Sequence, residues 1–203
     1  MLCLLVTGFE PFGPHAANPS GEAARRLHGQ SMQGLPIVGL ELPCRFDGAG
    51  AALHQALQAH RPSHVLALGL APSRVGFSIE RVALNLVDER IADTGGAQPL
   101  ELPVLEGAAP ALFATLPVKA MQAALAAAGH RAELSLSAGS YVCNHFFFTL
   151  MHALQQRPGA RGGFMHVGAD LDADAVLAGT RLALQAALDA GAADLRRVGG
   201  SID

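Results

Sequence analysis

The cysteine at position 143 stands in a setting that favours a reactive thiol. Residues 134–150 read LSLSAGSYVCNHFFFTL, in which an apolar strand is followed by a turn of small residues and by a helix that begins near Cys143. The N–H groups and the positive dipole end of such a helix favour a thiolate with a lowered pKa, and they can hold an oxyanion. The alternative is a buried cysteine that acts as a small hydrophobe, and this alternative fits Cys3 and Cys44.

A thiol nucleophile needs a base, and one of the nine histidines is well placed to supply it. His166 ends the short apolar strand 164–167, and the sites of α/β sheets gather at the carboxyl ends of strands. Glu80, inside an otherwise apolar stretch, is the candidate that would orient the imidazole. A structural histidine, and a surface ion pair between Glu80 and Arg81, are the alternatives. The local pattern alone therefore leaves the triad a hypothesis.

The elements that must position these residues alternate between strand and helix along the chain. Strands are predicted at 2–7, 37–42, 65–70, 77–87, 132–136 and 164–167. Helices are predicted at 19–27, 51–60, 117–129, 143–155 and 176–190, the first with Asn18 as its N-cap. This alternation predicts a single α/β domain over residues 1–203. Its architecture is an α/β/α sandwich with a twisted, largely parallel (mixed) sheet that helices cover on both faces.

The segment 88–116 interrupts that alternation. Its periodicity fades, and glycine and proline recur in it. A loop of this length in a compact domain is usually functional, so we expect a lid or a binding segment. Apolar surface on this segment, or on the alanine-rich helices, can support a homo-oligomer.

Composition and charge argue against several classes of protein. The formal net charge is −3 with no Lys/Arg cluster, so no nucleic-acid partner is expected. The three cysteines lack C-x-x-C spacing and the histidines lack a close ligand set, so neither a disulfide framework nor a metal site is predicted. The apolar run 2–6 is too short for a signal peptide or a membrane span. We therefore expect a cytoplasmic protein without a membrane partner.

Three blocks of the sequence resemble the pyroglutamyl peptidase I family, the pyrrolidone-carboxylate peptidases. The blocks are VTGFEPFG with NPS within 6–20, ERVALNLVDERIADTGGAQP at 80–99 and SAGSYVCNHFFFTLMH at 137–152, and TLPVKAM at 115–121 precedes the third. The match runs almost end to end and in the family's order. The resemblance implies a cysteine peptidase that removes the N-terminal pyroglutamyl residue from peptides and requires no cofactor.

The resemblance also implies roles for individual residues. The catalytic residues would be Glu80, which opens the E-R-V-A-x-N motif, Cys143, in the A-G-x-[FY]-V-C-N motif, and His166, after an apolar strand near the C-terminus. The substrate-binding residues would be Phe9, Phe12, Arg90, Ile91, Tyr141 and Val142, of which Phe9 and Phe12 would hold the pyroglutamyl ring.

The sequence departs from the family in three places. Leu70 stands where many relatives carry glutamine, and Cys44 stands where threonine is frequent. The acidic stretch after His166 also differs; it contains Asp170, Asp172 and Asp174. These departures leave the strictness of substrate specificity open.

Two other functions are compatible with the same architecture. One is a phosphorylase-like enzyme, because related sandwiches bind nucleosides and phosphate, although no P-loop or G-x-G-x-x-G motif is present. The other is a binding module without catalytic activity.

Overall fold

The structure is a computed structural model that describes residues 2–191 and 193–200. Within those residues lie nine strands: β1 (Leu4–Phe9), β2 (Ser31–Met32), β3 (Leu35–Leu42), β4 (His64–Ala71), β5 (Phe77–Glu80), β6 (Val82–Leu84), β7 (Ala111–Phe113), β8 (Ala132–Ser135) and β9 (Arg161–Gly168). The helices are α1 (Pro19–Leu27), α2 (Phe46–His60), α3 (Val118–Ala127), α4 (Val142–Leu154) and α5 (Ala173–Ala190). No helix in this part of the chain is long and apolar enough to cross a membrane.

Seven strands form one sheet in the order β2-β3-β1-β4-β9-β5-β8. The strands β3, β1, β4 and β9 run parallel, whereas β5 pairs antiparallel with β9 and β2 antiparallel with β3. Strands covered on both faces consist of continuous apolar runs, and β1 is accordingly buried at every position. The predicted α/β class with a mixed, largely parallel sheet is confirmed.

Helices cover both faces of this sheet. On one face, α2 and α4 pack over a core that includes Leu53 and Phe146. On the other face, α1, α3 and α5 pack over a core that includes Leu27, Leu125 and Leu184. The N-cap predicted for α1 is confirmed, because the Asn18 side chain accepts a hydrogen bond from the backbone N–H of Ser20.

The predicted strand 77–87 is wrong as a single element. The chain divides at Arg81, so that β5 belongs to the large sheet while β6 pairs antiparallel with β7 in a separate two-stranded sheet. The segment 88–116 therefore contains a strand, and an isolated antiparallel bridge joins Leu102 to Val87. The other predicted boundaries differ less from the structure; α2, for example, begins at residue 46 rather than 51. The short strand β2 was not predicted.

Candidate active site

Cys143 is the second residue of α4 and lies at the amino end of that helix. The N-cap residue Tyr141 has extended backbone and, among the described residues, makes no side-chain cap hydrogen bond. The first N–H groups of a helix have no partner within the helix, so those beside Cys143 are free to bind an oxyanion. The side chain of Cys143 is half-buried and packs against the core cluster on the α2–α4 face.

The antiparallel pairing of β5 with β9 brings Glu80 and His166 together. Glu80 lies opposite Phe164 in the register, and His166 is two residues further along β9, so the two side chains share one face of the sheet as diagonal neighbours. Glu80 Oε1 lies 2.7 Å from His166 Nδ1, and the residues are 0% and 4% exposed. An Nδ1–H that donates to the carboxylate leaves Nε2 with the lone pair that a base needs.

The cationic partner of Glu80 is Arg74. Arg74 Nη1 donates to Glu80 Oε1 at 2.6 Å, the oxygen that also faces His166. The alternative of a Glu80–Arg81 surface pair is therefore wrong, because Glu80 is buried and its strand lies between two others. The second carboxylate oxygen, Oε2, is buried and has no hydrogen-bond partner among the described residues.

A cavity of about 160 Å³ opens beside these groups. Its lining includes Cys143 and His166, together with three of the predicted substrate-binding residues, Phe9, Phe12 and Tyr141. The ring centroids of Phe12 and Tyr141 lie 6.4 Å apart, so their aromatic surfaces form adjacent walls. A larger cavity of about 240 Å³ lies elsewhere and contains none of the predicted site residues in its lining. The smaller cavity is thus the one that joins an apolar wall to the nucleophile candidate and its base.

Side chains of α4 and of the residues just before it, including Asn144 and Tyr141, tie the segment that follows β5 to this helix. Asn144, which is fully buried, accepts a hydrogen bond from Leu84 N at 2.9 Å and donates to Leu84 O and Leu86 O at 2.9 and 3.0 Å. The Tyr141 hydroxyl donates to Ala92 O at 3.0 Å. Hydrogen bonds on both sides of Cys143 therefore hold α4 and this segment together.

Comparison with known proteins identifies the family. The family model described as pyroglutamyl peptidase matches residues 2–186. The chain belongs to the pyroglutamyl peptidase family.

Relatives and solved structures agree with that membership. A pyrrolidone-carboxylate peptidase of Gloeobacter violaceus is 50% identical over 81% of this chain and 80% of its own length. One from Cupriavidus necator is 41% identical over the whole of both chains. The crystal structure of Bacillus amyloliquefaciens pyroglutamyl peptidase I is 33% identical with a TM-score of 0.91, covering 96% of this chain and all of its own. The pyrrolidone carboxyl peptidase of Thermococcus litoralis gives 32% identity and a TM-score of 0.90, with 94% of each chain covered.

The other predicted substrate-binding residues of this pyroglutamyl peptidase family member do not line the cavity. Arg90 is exposed and Ile91 is 51% exposed. Val142 is fully buried in the core cluster under α4. A role for these three in substrate binding stays a prediction. Phe9 is 1% exposed and packs edge-on against Phe146 at 5.7 Å, so it belongs to the core as well as to the cavity wall.

The pKa of the Cys143 thiol is raised, not lowered. Burial raises this pKa most, the neighbouring Cys44 and Glu80 raise it further, and the Arg74 cation acts in the opposite direction. The prediction of a lowered thiol pKa is therefore wrong, because the loss of hydration and the negative charge of Glu80 act against a thiolate. The raised pKa favours the thiol form of Cys143 over the thiolate, so a base is needed to remove its proton.

Two residues that line the cavity, Cys44 and Leu70, were not among the predicted substrate-binding residues, although a signal for them was available. Cys44 and Leu70 line the cavity, although Cys44 was interpreted as a core cysteine. Cys44 is 2% exposed, and burial raises its pKa to about 12, so it is also part of the core. Phe9, Cys44, Leu70 and His166 all lie at or just beyond the carboxyl ends of the parallel strands β1, β3, β4 and β9. The rule used to find His166 therefore also points to Cys44 and Leu70.

Arg74 had no such signal. It lies in a turn after β4, where a single arginine is usual on a surface.

Within the described residues, no group of three or more His, Cys, Asp or Glu side chains is arranged to hold a metal ion.

Proposed function

We propose that this protein hydrolyses the bond that follows an N-terminal pyroglutamyl residue. In this proposal Cys143 is the nucleophile, His166 is the general base and Glu80 orients the imidazole. The supporting observation is that the 2.7 Å Glu80–His166 contact lies beside a cavity whose lining contains both Cys143 and His166. A carboxylate, an imidazole and a nucleophile in series are the groups that acyl transfer needs.

The reaction begins with proton transfer, because the raised pKa of Cys143 favours its thiol form. His166 Nε2 takes the Sγ proton while the sulfur forms a bond to the pyroglutamyl carbonyl carbon. N–H groups in the first turn of α4 stabilise the oxyanion. The imidazolium then gives its proton to the departing amine as the C–N bond breaks. A water molecule, deprotonated by the same imidazole, cleaves the thioester and releases pyroglutamate and the free thiol.

The cavity suits a small uncharged lactam. Phe9, Phe12 and Leu70 present apolar surface to the space in front of Cys143. A charged amino terminus would lose its hydration there without a matching partner, and that loss costs several kcal/mol, roughly 2 or more. A pyroglutamyl residue has no free α-amine, so peptides that begin with it are favoured over ordinary peptides.

The phosphorylase alternative is disfavoured by the same lining. None of the described residues that line the cavity is Lys or Arg, so no side-chain cation faces the position where a phosphate would bind.

Location and assembly are proposed on separate grounds. We infer a cytoplasmic location because a thiol nucleophile must stay reduced, and Cys3, Cys44 and Cys143 are all free.

We infer that the single domain of residues 1–203 can form a homo-oligomer, since Leu100 and Phe113 are exposed large apolar side chains. The net charge of −3 supports the expectation of no nucleic-acid partner. Light scattering coupled to size-exclusion chromatography measures the assembly state.

Hydrolysis of a pyroglutamyl fluorogenic amide, compared with its prolyl and glutamyl analogues, tests the proposed function. The wild-type protein should cleave only the first. Cys143→Ala should lower turnover by more than about 10³-fold, while the control Cys3→Ala, which is not in the cavity lining, should keep it. Near-wild-type turnover by Cys143→Ala would exclude this nucleophile. Binding of pyroglutamate without turnover by the wild-type protein would favour a binding module, and phosphate-dependent cleavage of a nucleoside would favour the phosphorylase.

A further inference from the structure

Arg74 contacts both the carboxylate that orients the base and the loop that leads to the nucleophile. Nη1 donates to Glu80 Oε1 at 2.6 Å and to Ser135 Oγ at 3.3 Å. Nη2 donates to the backbone carbonyl of Ser137 at 2.6 Å. Ser137 begins the stretch of small residues that joins β8 to α4, and Ala138, the next residue, lines the cavity.

The turn that carries Arg74 is itself held in place. Its own N–H donates to Ala71 O at 3.0 Å, at the end of β4. Gly76, two residues later, accepts from Gly168 N at 2.8 Å and donates to Asp170 Oδ1 at 2.9 Å. The guanidinium therefore extends from a fixed backbone, with its side chain 24% exposed. Asp170, one of the acidic residues after His166 that distinguish this sequence, contributes to that fixed backbone.

We propose that Arg74 is a positioning residue for the peptidase reaction, holding the Glu80 carboxylate against His166 and the Ser137 carbonyl that leads into the nucleophile helix. The inference rests on the proposed function of the site. A planar guanidinium can serve two acceptors in fixed directions, which a lysine ammonium on a flexible stem does not do.

The shared oxygen explains why this contact matters for the chemistry. Arg74 and His166 both bind Glu80 Oε1, whereas Oε2 is buried without a partner among the described residues. Without the guanidinium, the buried carboxylate would keep one partner only, and it could turn or take up a proton. Either change would remove the acceptor that fixes the imidazole. The loop at Ser137 would lose its anchor in the same step.

The kinetic test compares Arg74→Ala and Arg74→Lys with Arg81→Ala as the matched control. Arg81 is a neighbouring arginine that lines the other, larger cavity. We expect kcat for the pyroglutamyl amide to fall by about 100-fold in both Arg74 variants, with KM changed by less than about threefold, because misplacement of the reacting groups affects the transition state most. Added guanidinium ion should restore part of the activity of Arg74→Ala, and an equal concentration of ammonium should not. Arg81→Ala should behave as the wild type.

A second readout does not depend on turnover. The rate of iodoacetamide alkylation at Cys143, followed by peptide mapping across pH, reports how easily the thiol loses its proton in the folded protein. Since the Arg74 cation lowers the pKa of this thiol, the profile of Arg74→Ala should move to higher pH, and that of Arg74→Lys should move less.

The outcomes separate this inference from the proposed function. Unchanged kcat and an unchanged alkylation profile in the Arg74 variants, with or without a lower melting temperature, would overturn the positioning role and leave the peptidase intact. A wild-type protein without pyroglutamyl activity would refute the proposed function instead. If Arg74→Ala fails to fold, Arg74→Lys decides the question: wild-type kcat in that variant would overturn the inference.

Discussion

Replacing Gly69 by alanine would place a methyl group against the sulfur of the nucleophile. Gly69 pairs with His166 across β4 and β9. A Cβ on its backbone would lie 2.9 Å from Cys143 Sγ and 2.8 Å from Phe164 Cζ. Ordinary contacts begin at 3.4 Å, so the sulfur, at 2.9 Å, must retreat by the difference, half an ångström. The ring of Phe164, which is fully buried, is contacted as closely, so the substitution displaces both the sulfur and the tightly packed ring beside it.

That displacement has two measurable costs. Overpacking of a tight core typically costs about 1–3 kcal/mol of unfolding free energy, which the better strand propensity of alanine offsets by at most about 1 kcal/mol. Displacement of a nucleophile by a fraction of an ångström to an ångström lowers kcat by about 10- to 100-fold. KM should change little, because Gly69 is not among the residues that line the cavity.

The assay measures kcat and KM for the pyroglutamyl amide together with the melting temperature. Gly162→Ala is the matched control, since its Cβ would lie 2.5 Å from Leu154 Cδ1 and so overpacks the other end of α4 without reaching Cys143. We expect both variants to have a lower melting temperature than the wild type, and only Gly69→Ala to have a lower kcat. A Gly69→Ala protein with wild-type kcat, or a Gly162→Ala protein with an equal loss of kcat, would refute the reasoning.

Three further predictions concern charge. Glu80→Gln keeps the shape of the side chain but removes the carboxylate that orients His166, so kcat should fall by about 10²- to 10⁴-fold with folding retained; a loss smaller than about tenfold would contradict the assigned role. Because burial raises the pKa of the Cys143 thiol above its ordinary value of 9.0, the rate of its alkylation by iodoacetamide should still increase with pH at about pH 9. A rate that reaches its plateau near neutral pH would instead indicate a thiolate–imidazolium pair. Burial disfavours the Asp93 carboxylate, yet its hydrogen bonds from backbone N–H groups, that of Phe46 among them, lower its pKa below 3.8 in the folded state. The carboxylate therefore adds stability above the unfolded pKa that is lost as the pH falls through the folded pKa. Asp93→Asn should cost about 1–3 kcal/mol of unfolding free energy at neutral pH and less at about pH 3, measured by urea titration; an equal deficit at both values would count against this account.

The site residue at the end of a strand, His166, could be predicted from the sequence because the pattern of the neighbouring residues determines where the strand lies. A continuous apolar run marks a strand that helices cover on both faces, and the carboxyl ends of parallel strands meet at one edge of the sheet. His166 was found in this way. Cys143 was found from the turn of small residues between a strand and a helix. Both inferences need only the order of elements along the chain.

Contacts between distant residues escaped prediction. The stretch 77–87 looks like one strand, but Asn144, about 60 residues later, binds the backbone at Leu84 and draws that part away from the sheet. Arg74 acquires its partners only when β5 and the loop after β8 reach the same turn. The thiol pKa depends on burial and on the Glu80 charge, neither of which appears in the residues flanking Cys143.

The side chain of Asn144 does for β6 what a neighbouring strand would do: it offers one acceptor and one donor to the peptide groups of Leu84. A loop exchange between relatives would therefore have to carry position 144 with it. Length changes between β6 and β7 can be absorbed around the exposed residue Leu100, whereas Leu105 is held to the start of the segment because Asn85 binds its N–H and its carbonyl oxygen. A change next to Leu84 would tilt the helix turn on which Cys143 sits. Length changes in the exposed part of the segment 88–116 are therefore expected to leave catalysis unchanged, whereas changes next to Leu84 are expected to alter the position of Cys143.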